Sequence, residues 1–212
     1  MVFHTPAPRP DDTPARLERL DLTVEDLVIP VRAGVEARRT TTRHHPKAFS
    51  GWVDYAERVA ALRDGLVSRG WTAEEREGVC LVVHPERRLA IMTALGTSGT
   101  GTAEPVTTVR RRGKVTEQIV SVNAQLAFDL VLQEVPHPSR FDMPVYALLV
   151  HREEDEIRSE LSLAARIDDD GYIDRWKDRI PLPVIRLNEV LGDGDGGNDE
   201  PPFDPDFDVP EL

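Results

Sequence analysis

Apolar residues recur at helical spacing in the first third of the chain. The strongest case is residues 52–69, where apolar side chains return every three or four positions and Gly70 follows as a helix stop. Ser50 is the expected N-cap of this helix. The recurring side chains are those of Trp52, Tyr55, Val59, Leu62 and Leu66. This spacing predicts an amphipathic helix that packs one face against a core.

Two pairs of residues with capping-box spacing indicate further helix starts. Thr23 and Asp26 predict a helix start before the long one, and Pro30 is expected to end or kink that helix. Thr72 and Glu75 repeat the spacing and predict one more short helix.

The pattern changes to apolar runs bounded by turn residues after the helical part. Two pairs of runs predict β-hairpins, namely 79–84 with 89–95 and 145–151 with 157–167. Asp170-Gly171 predicts a tight turn into a further strand at 172–180. We therefore expect an α+β fold, in which an N-terminal helical layer packs on an antiparallel sheet of about five or more strands.

Residues 115–135 are ambiguous between helix and strand. Apolar side chains alternate without a break at Val120, Val122, Ala124, Leu126, Phe128, Leu130 and Leu132, which favours a strand. Val115, Ile119, Val122 and Leu126 also fit one helix face. A single strand of this length would be unusual, so we expect a bend or a helix-to-strand change.

The charge distribution separates a body from a C-terminal tail. Residues 1–12 are expected to be flexible, and residues 13–191 to form a single domain that is helical over 13–78 and mainly β over 79–187. Residues 192–212 contain eight acids and no base, which predicts a disordered tail. The chain carries a net charge of −12, and removing those eight acids leaves 30 acidic against 26 basic residues, a net charge of −4.

Composition excludes several classes of protein. No apolar run approaches the roughly 18 residues that span a bilayer, so no membrane contact is expected. The first residues lack the apolar stretch of a secretory signal, and the single cysteine, Cys80, cannot form an intramolecular disulfide. These features favour a cytoplasmic protein, and the excess of arginine over lysine is typical of a GC-rich bacterium. No cofactor is predicted.

The glycine-rich run 96–102 does not match the known phosphate or nucleophile motifs. Thr102 stands where a Walker loop needs lysine, and Ser98 lacks the spacing of a nucleophile elbow. We expect a flexible surface loop. The run 168–171 is interpreted as a hairpin turn, because Arg166 and Lys177 replace two essential ligands of a calcium loop.

Two histidines follow apolar strands in parallel settings. His84 with Glu86, and His151 with Glu153, would converge if the two hairpins lay side by side. Imidazole and carboxylate groups suit a metal ion or general acid–base chemistry, so a metal-binding or hydrolytic site is one hypothesis. The alternative is that polar residues simply begin where strands leave the core.

A basic island contains Arg110, Arg111, Arg112 and Lys114. Four cations in five residues can hold phosphate, although no aromatic residue interleaves them as in a stacking platform. The island is interpreted as a solvated loop, a nucleic-acid or phosphate-ligand site, or a contact for the protein's own acidic tail. Nucleic-acid binding is not favoured, because the chain as a whole is acidic.

The tail combines acids with two phenylalanines. Residues 199–210 resemble the acidic tip of bacterial single-stranded-DNA-binding proteins, which docks on partner proteins, although Glu211-Leu212 replaces the terminal phenylalanine. The resemblance implies that the tail could anchor on a partner; the alternative is an inert solubilising tail. The residues concerned are Phe203, Phe207, Asp204, Asp206 and Asp208.

No complete catalytic signature accompanies the two oppositely charged segments. We therefore expect a non-catalytic, regulatory or accessory protein that acts through protein–protein contacts with an unidentified partner.

Overall fold

Four helices and seven strands lie in the part of the chain that the computed structural model describes, which is residues 12–86, 88–132 and 143–187. The helices are α1 Thr13–Glu18, α2 Glu25–Arg38, α3 Phe49–Val67 and α4 Lys114–Leu132. The strands are β1 Thr72–Arg76, β2 Val79–Val83, β3 Ala90–Leu95, β4 Val145–Arg152, β5 Glu156–Ile167, β6 Ile173–Pro181 and β7 Ile185–Arg186. The predicted α+β class is confirmed.

One mostly antiparallel sheet contains all seven strands. Strands β1 to β6 lie in sequence order, and β7 pairs with β5. The three predicted hairpins are confirmed as β2–β3, β4–β5 and β5–β6. Only β3 and β4 run parallel among these neighbouring pairs, from Ala90 opposite Val145 to Leu95 opposite Val150. Because parallel neighbours enter the sheet at the same end, the chain between them must cross one face of the sheet.

Helix α4 makes that crossing, so the prediction of a strand or of a helix-to-strand change within 115–135 is wrong over its described part. Thr116, Ile119 and Asn123 are buried at helical spacing. The Asn123 amide docks the helix on β4, since it donates to the Val145 carbonyl at 3.0 Å and accepts from the Val145 N–H at 2.9 Å. The alternating pattern was misleading because a helix that covers a sheet is apolar over a wide arc.

Both faces of the sheet carry an apolar core. Alternate strand residues face α1, α2 and α3 on one side, and their neighbours face α4 on the other. On the first face Ile91, Leu148 and Leu161 pack with Leu17, Leu27, Val31, Leu62 and Leu66. On the second face Met92, Ala147 and Leu149 pack with Ile119, Val120 and Val122. The predicted single helical layer is therefore one of two.

The helix starts differ in detail from the predicted ones. The Thr23 and Asp26 capping box is confirmed, because each side chain bonds the other's backbone N–H, at 3.2 and 2.7 Å. Pro30 lies inside α2, which continues to Arg38. Helix α3 begins at Phe49 after the N-cap Ala48, so Ser50 is not its cap. Gly70 ends the helix as predicted, with φ of 90°.

The short helix predicted from Thr72 and Glu75 is wrong, because these residues lie in β1. Glu77 and Gly78 connect β1 to β2 with φ of 49° and 84°. Two positive φ values in a two-residue connection define a type I′ hairpin turn, whose twist matches that of the strands it joins. The tertiary preference for one more strand at the sheet edge outweighs the local capping signal.

The glycine-rich segment forms a compact loop, residues 96–108, whose ends meet in a bridge between Gly96 and Thr108. A loop of this length with adjacent ends is an Ω-loop. The predicted surface position is wrong for its middle, because Gly99 and Thr100 are buried. A Cβ on Gly99 would lie 2.0 Å from the Pro105 carbonyl oxygen, so this close approach requires glycine.

A buried ion pair fastens this loop to the sheet. Arg179 of β6 donates to both carboxylate oxygens of Glu160 of β5, at 2.9 and 2.7 Å, and both side chains are 0–1% exposed. The same guanidinium donates to the carbonyl oxygens of Gly99 and Glu104 at 2.9 Å each. Glu160 also accepts from the Ser162 hydroxyl at 2.7 Å and from the Gly101 N–H at 2.8 Å. The carboxylate therefore accepts four hydrogen bonds, two on each oxygen.

We expect Glu160→Gln to lower the free energy of unfolding by about 3–5 kcal/mol, because it leaves Arg179 buried without a countercharge. The amide nitrogen of glutamine cannot accept the two hydrogen bonds that one carboxylate oxygen now receives. Urea unfolding followed by circular dichroism measures the loss.

Asp174→Asn is the matched control, because Asp174 pairs with Arg166 between the same two strands on an exposed part of the hairpin. We expect it to cost much less than Glu160→Gln, because solvent screens an exposed ion pair. Equal losses for the two variants would contradict a special role for the buried pair.

Candidate functional site

The connection between α2 and α3 is held by short-range hydrogen bonds. The Thr40 and Thr41 hydroxyls donate to the carbonyl oxygens of Ala37 and Arg38, at 2.8 and 2.7 Å, and so satisfy the end of α2. The Thr42 N–H donates to Nδ1 of His45 at 2.8 Å. A neutral His45 ring therefore carries its proton on Nε2.

Three aromatic rings stack where this connection enters α3. The rings of His45 and Phe49 lie 4.4 Å apart with an interplanar angle of 6°. The Phe49 and Trp52 rings follow at 6.2 Å and 29°. Trp52 remains 49% exposed although it belongs to the predicted apolar face of the helix. The stack therefore presents apolar ring surface to solvent.

Three cations lie close in sequence to the stacked rings. Arg39, Arg43 and Lys47 are exposed, and none forms an ion pair with a carboxylate of the described residues. No acidic residue occurs between Glu36 and Asp54. We call Arg39, Arg43, His45, Lys47, Phe49 and Trp52 the α2–α3 surface.

The nearest acid in sequence is occupied by arginines beneath this surface. Asp54 accepts from the buried Arg58 at 3.0 Å and lies 3.8 Å from Arg38. The helices meet closely at Gly34, where a Cβ would lie 2.4 Å from an Asp54 carboxylate oxygen. Asp54 therefore balances two arginines at the helix contact, and Arg39, Arg43 and Lys47 keep their charge exposed.

The sequence analysis did not identify the α2–α3 surface. It placed Trp52 on a helix face expected to pack against a core and assigned no role to His44 and His45, which are exposed. The usable signal was a run of 17 residues, 37–53, with four basic residues, two large aromatic residues and no acid.

The two predicted histidine sites do not converge. His84 follows the end of β2 that lies opposite the start of β3, whereas His151 is in β4 next to the end of β3. The six residues of β3 separate these ends by about 17 Å at 3.3–3.4 Å per residue. The prediction that both pairs meet at one sheet edge is wrong, because β4 runs parallel to β3. Within the described residues no group of three or more His, Cys, Asp or Glu side chains could hold a metal ion.

His84 is a buried structural residue. Its side chain is 3% exposed, its ring lies against Trp71 with centroids 5.0 Å apart, and its Nδ1 accepts from the Glu86 N–H at 3.1 Å. The carboxylate of Glu86 is exposed and lies 3.3 Å from Arg88. Glu86 thus contacts His84 through its backbone.

His151 and Glu153 do interact, at the rim of the Ω-loop. Nε2 of His151 lies 3.0 Å from a Glu153 carboxylate oxygen, and Nδ1 lies 3.0 Å from the Gly96 carbonyl oxygen. Arg158, opposite His151 on β5, donates to the same carboxylate. The hydrogen bond from His151, with the charges of His151 and Arg158, lowers the pKa of Glu153 below its ordinary 4.5 against a smaller effect of burial.

The basic island lies against the turn of the β5–β6 hairpin. The Arg112 N–H donates to the Gly171 carbonyl at 2.7 Å, and the Arg112 side chain is 7% exposed. Arg110, Arg111 and Lys114 are exposed. The island therefore has three exposed cations instead of four. Its role in binding nucleic acid stays a prediction.

The turn itself is confirmed as a hairpin, since the Asp168 carboxylate accepts from the N–H groups of Asp170 and Tyr172 at 3.0 and 2.8 Å. Cys80, in β2, is partly exposed and has no disulfide partner. The predicted anchors Phe203, Phe207, Asp204, Asp206 and Asp208 lie outside the described residues.

Of the described helices, none combines the length and the apolar character that crossing a bilayer requires. No protein-family model, no curated protein and no solved structure matches this chain. The assignment of function therefore depends on the geometry above.

We expect the contribution of Glu153 to stability to depend on pH. Its pKa is lower in the folded state than in the unfolded chain, so the stabilisation is complete above pH 4.5 and disappears as the pH falls through the lowered value. The difference in unfolding free energy between wild type and Glu153→Gln, measured by urea titration at several pH values, should shrink on acidification.

Glu154→Gln is the control, because Glu154 is exposed in the same turn and forms no hydrogen bond or ion pair with the described residues. The stability of this variant should remain close to that of wild type. A Glu153→Gln difference that grows on acidification would contradict the assigned direction.

Proposed function

We propose that this protein is a non-catalytic, cytoplasmic accessory protein that acts through protein–protein contacts, and that the α2–α3 surface binds acidic, aromatic-containing segments of its partners. The observation that carries the proposal is a single acid-free segment that holds three stacked rings, two of them exposed, and three exposed cations that no described carboxylate neutralises. A half-exposed tryptophan such as Trp52 is a typical binding anchor, and arginine is the other residue type enriched at such anchors.

The chemistry of the partner follows from these groups. Arg39, Arg43 and Lys47 supply long, exposed donors for carboxylates, and arginine can bind a carboxylate with two hydrogen bonds. The Phe49 and Trp52 rings supply apolar contact area that an aromatic side chain can cover. An acidic peptide with phenylalanine or a similar side chain satisfies both requirements.

Other charged groups of the chain support the same choice of surface. Arg179 and Glu160 are enclosed and bind the Ω-loop, and Arg58 is enclosed at the contact between α2 and α3. His84 is 3% exposed against Trp71. These buried groups stabilise the fold, whereas the cations of the α2–α3 surface are exposed to solvent. The cytoplasmic part of the proposal is supported by the single, unpaired cysteine.

Trp52 supplies an intrinsic probe of binding. The chain contains three tryptophans, of which Trp71 and Trp176 are each 2% exposed and Trp52 is 49% exposed. A ligand at the α2–α3 surface should therefore shift the Trp52 emission and protect it from acrylamide, while Trp52→Phe should abolish the change.

The test is a titration with a synthetic peptide of aspartates and two phenylalanines, and with a matched peptide that has serine for phenylalanine. We expect the first to bind with saturation and with an affinity that falls as salt rises, and the second to bind about tenfold more weakly. Arg43→Glu/Lys47→Glu should weaken the first peptide by about tenfold or more.

Arg19→Glu/Arg186→Glu is the matched control, since it changes the net charge equally on two exposed residues, one that caps the end of α1 and one in β7. Equal weakening by both double variants would contradict binding at the α2–α3 surface. Tighter binding of a single-stranded oligonucleotide than of the acidic peptide at the same salt would contradict the protein-binding function.

A further inference from the structure

We propose that the acidic segment 193–212 of this same chain docks on the α2–α3 surface, so that a partner must displace it; the inference rests on the proposed function of that surface. The α2–α3 surface belongs to the residues that the structure describes, and segment 193–212 is known from the sequence. The contact is intramolecular and reversible.

The charges and side chains of the two elements are complementary. Residues 193–212 contain eight carboxylates and no basic residue, with Phe203 and Phe207 placed among Asp204, Asp206 and Asp208. The α2–α3 surface has three exposed cations beside a stack of rings and no acid between Glu36 and Asp54. Each phenylalanine can lie on exposed ring surface while the flanking aspartates reach the cations.

The segment is long enough to reach this surface from where the described structure ends. Fifteen residues lie between Leu187 and Phe203, which makes sixteen Cα-to-Cα steps. Extended chain covers 3.3–3.6 Å per step, giving a reach of up to about 55 Å. A folded body of about 175 residues has a radius of gyration of about 16 Å and a diameter of about 40 Å. Tethering at this length gives an effective concentration on the order of millimolar.

The basic island is a weaker acceptor for the same segment. Its Arg112 is 7% exposed and fixed to Gly171 through the backbone, and Arg111 packs close to the same glycine. No aromatic residue occurs in 110–114. Of these two basic surfaces in the described part of the chain, the α2–α3 surface is the one that combines cations with exposed rings, so that both the acids and the phenylalanines of the segment can bind.

Displacement of the segment would set the apparent affinity for an outside partner. A tethered ligand at effective concentration C raises the apparent dissociation constant by a factor of one plus C divided by its own dissociation constant. A weak contact therefore still produces strong competition. Partners with several carboxylates and more than one aromatic side chain are favoured over weaker acidic segments.

Two measurements on the full chain test the proposal. In the first, Cys80→Ser removes the only cysteine, and Asp206→Cys carries a nitroxide that quenches nearby tryptophan. We expect quenching of Trp52 that is relieved by high salt and by Arg43→Glu/Lys47→Glu, and that does not change over about a tenfold range of protein concentration.

In the second measurement, the acidic peptide with two phenylalanines is titrated into wild type and into Phe203→Ser/Phe207→Ser. The variant is expected to bind the peptide about tenfold more tightly, because its own segment competes less. Phe3→Ser/Phe141→Ser is the composition control, with phenylalanines outside the segment, and should leave the affinity unchanged.

The outcomes separate this inference from the proposed function. Peptide binding at the α2–α3 surface with no quenching, and with equal affinity in the Phe203→Ser/Phe207→Ser variant, would overturn self-docking and leave the proposed function intact. No peptide binding even by that variant would overturn the proposed function. Quenching that rises with protein concentration, or that is lost in Arg110→Glu/Arg111→Glu instead, would overturn docking on the same chain's α2–α3 surface.

Discussion

The buried ion pair between Glu160 and Arg179 organises one end of the sheet. Charges in such a place are tolerated only when their hydrogen-bonding capacity is filled, and here the carboxylate accepts four hydrogen bonds and the guanidinium reaches two loop carbonyls. The Ω-loop consequently covers the sheet beside α4. Trp176 adds a further bond to the Val106 carbonyl at 2.9 Å.

The charged residues discussed above fall into two groups, those that are buried and those that are exposed to solvent. Glu160, Arg179 and Arg58 are enclosed and stabilise the packing of loops and helices. Arg39, Arg43 and Lys47 remain in solvent, in the same segment as the exposed rings of His45 and Trp52. The glycine-rich Ω-loop therefore has a structural role, since its carbonyl oxygens accept hydrogen bonds from the buried Arg179. The helical layer on the opposite face of the sheet carries the α2–α3 surface, for which we propose a binding role.

Much of the fold could be predicted from local pattern, because α3 and the three hairpins each carry their own periodicity or turn chemistry. The wrong predictions concern segments whose structure depends on residues that are distant in sequence. Helix α4 is required by the parallel pairing of β3 with β4, which no spacing within 115–135 reveals. The same pairing separates His84 from His151. The buried pair joins residues 19 positions apart across two strands, and its register follows from irregular pairing after Leu163.

The candidate site was less predictable than the fold. Periodicity assigned Trp52 to the core, since an apolar side chain at the right spacing gives no sign of whether anything covers it. The acid-free run around it could have been recognised from charge pattern alone. The stacking of His45 on Phe49 depends on the turn at Thr42, which the spacing of residues in the sequence does not indicate.

The parallel pairing of β3 with β4 also has a consequence for synthesis on the ribosome. Every residue of β3 is buried in the finished sheet, yet its partner Val145 lies 55 positions after Ala90. While α4 is being translated, the β1–β3 meander has an unpaired apolar edge, the kind of surface on which nascent chains aggregate. The chain therefore passes through a vulnerable interval that ends only when β4 emerges, and slow translation of residues 96–144 would lengthen it.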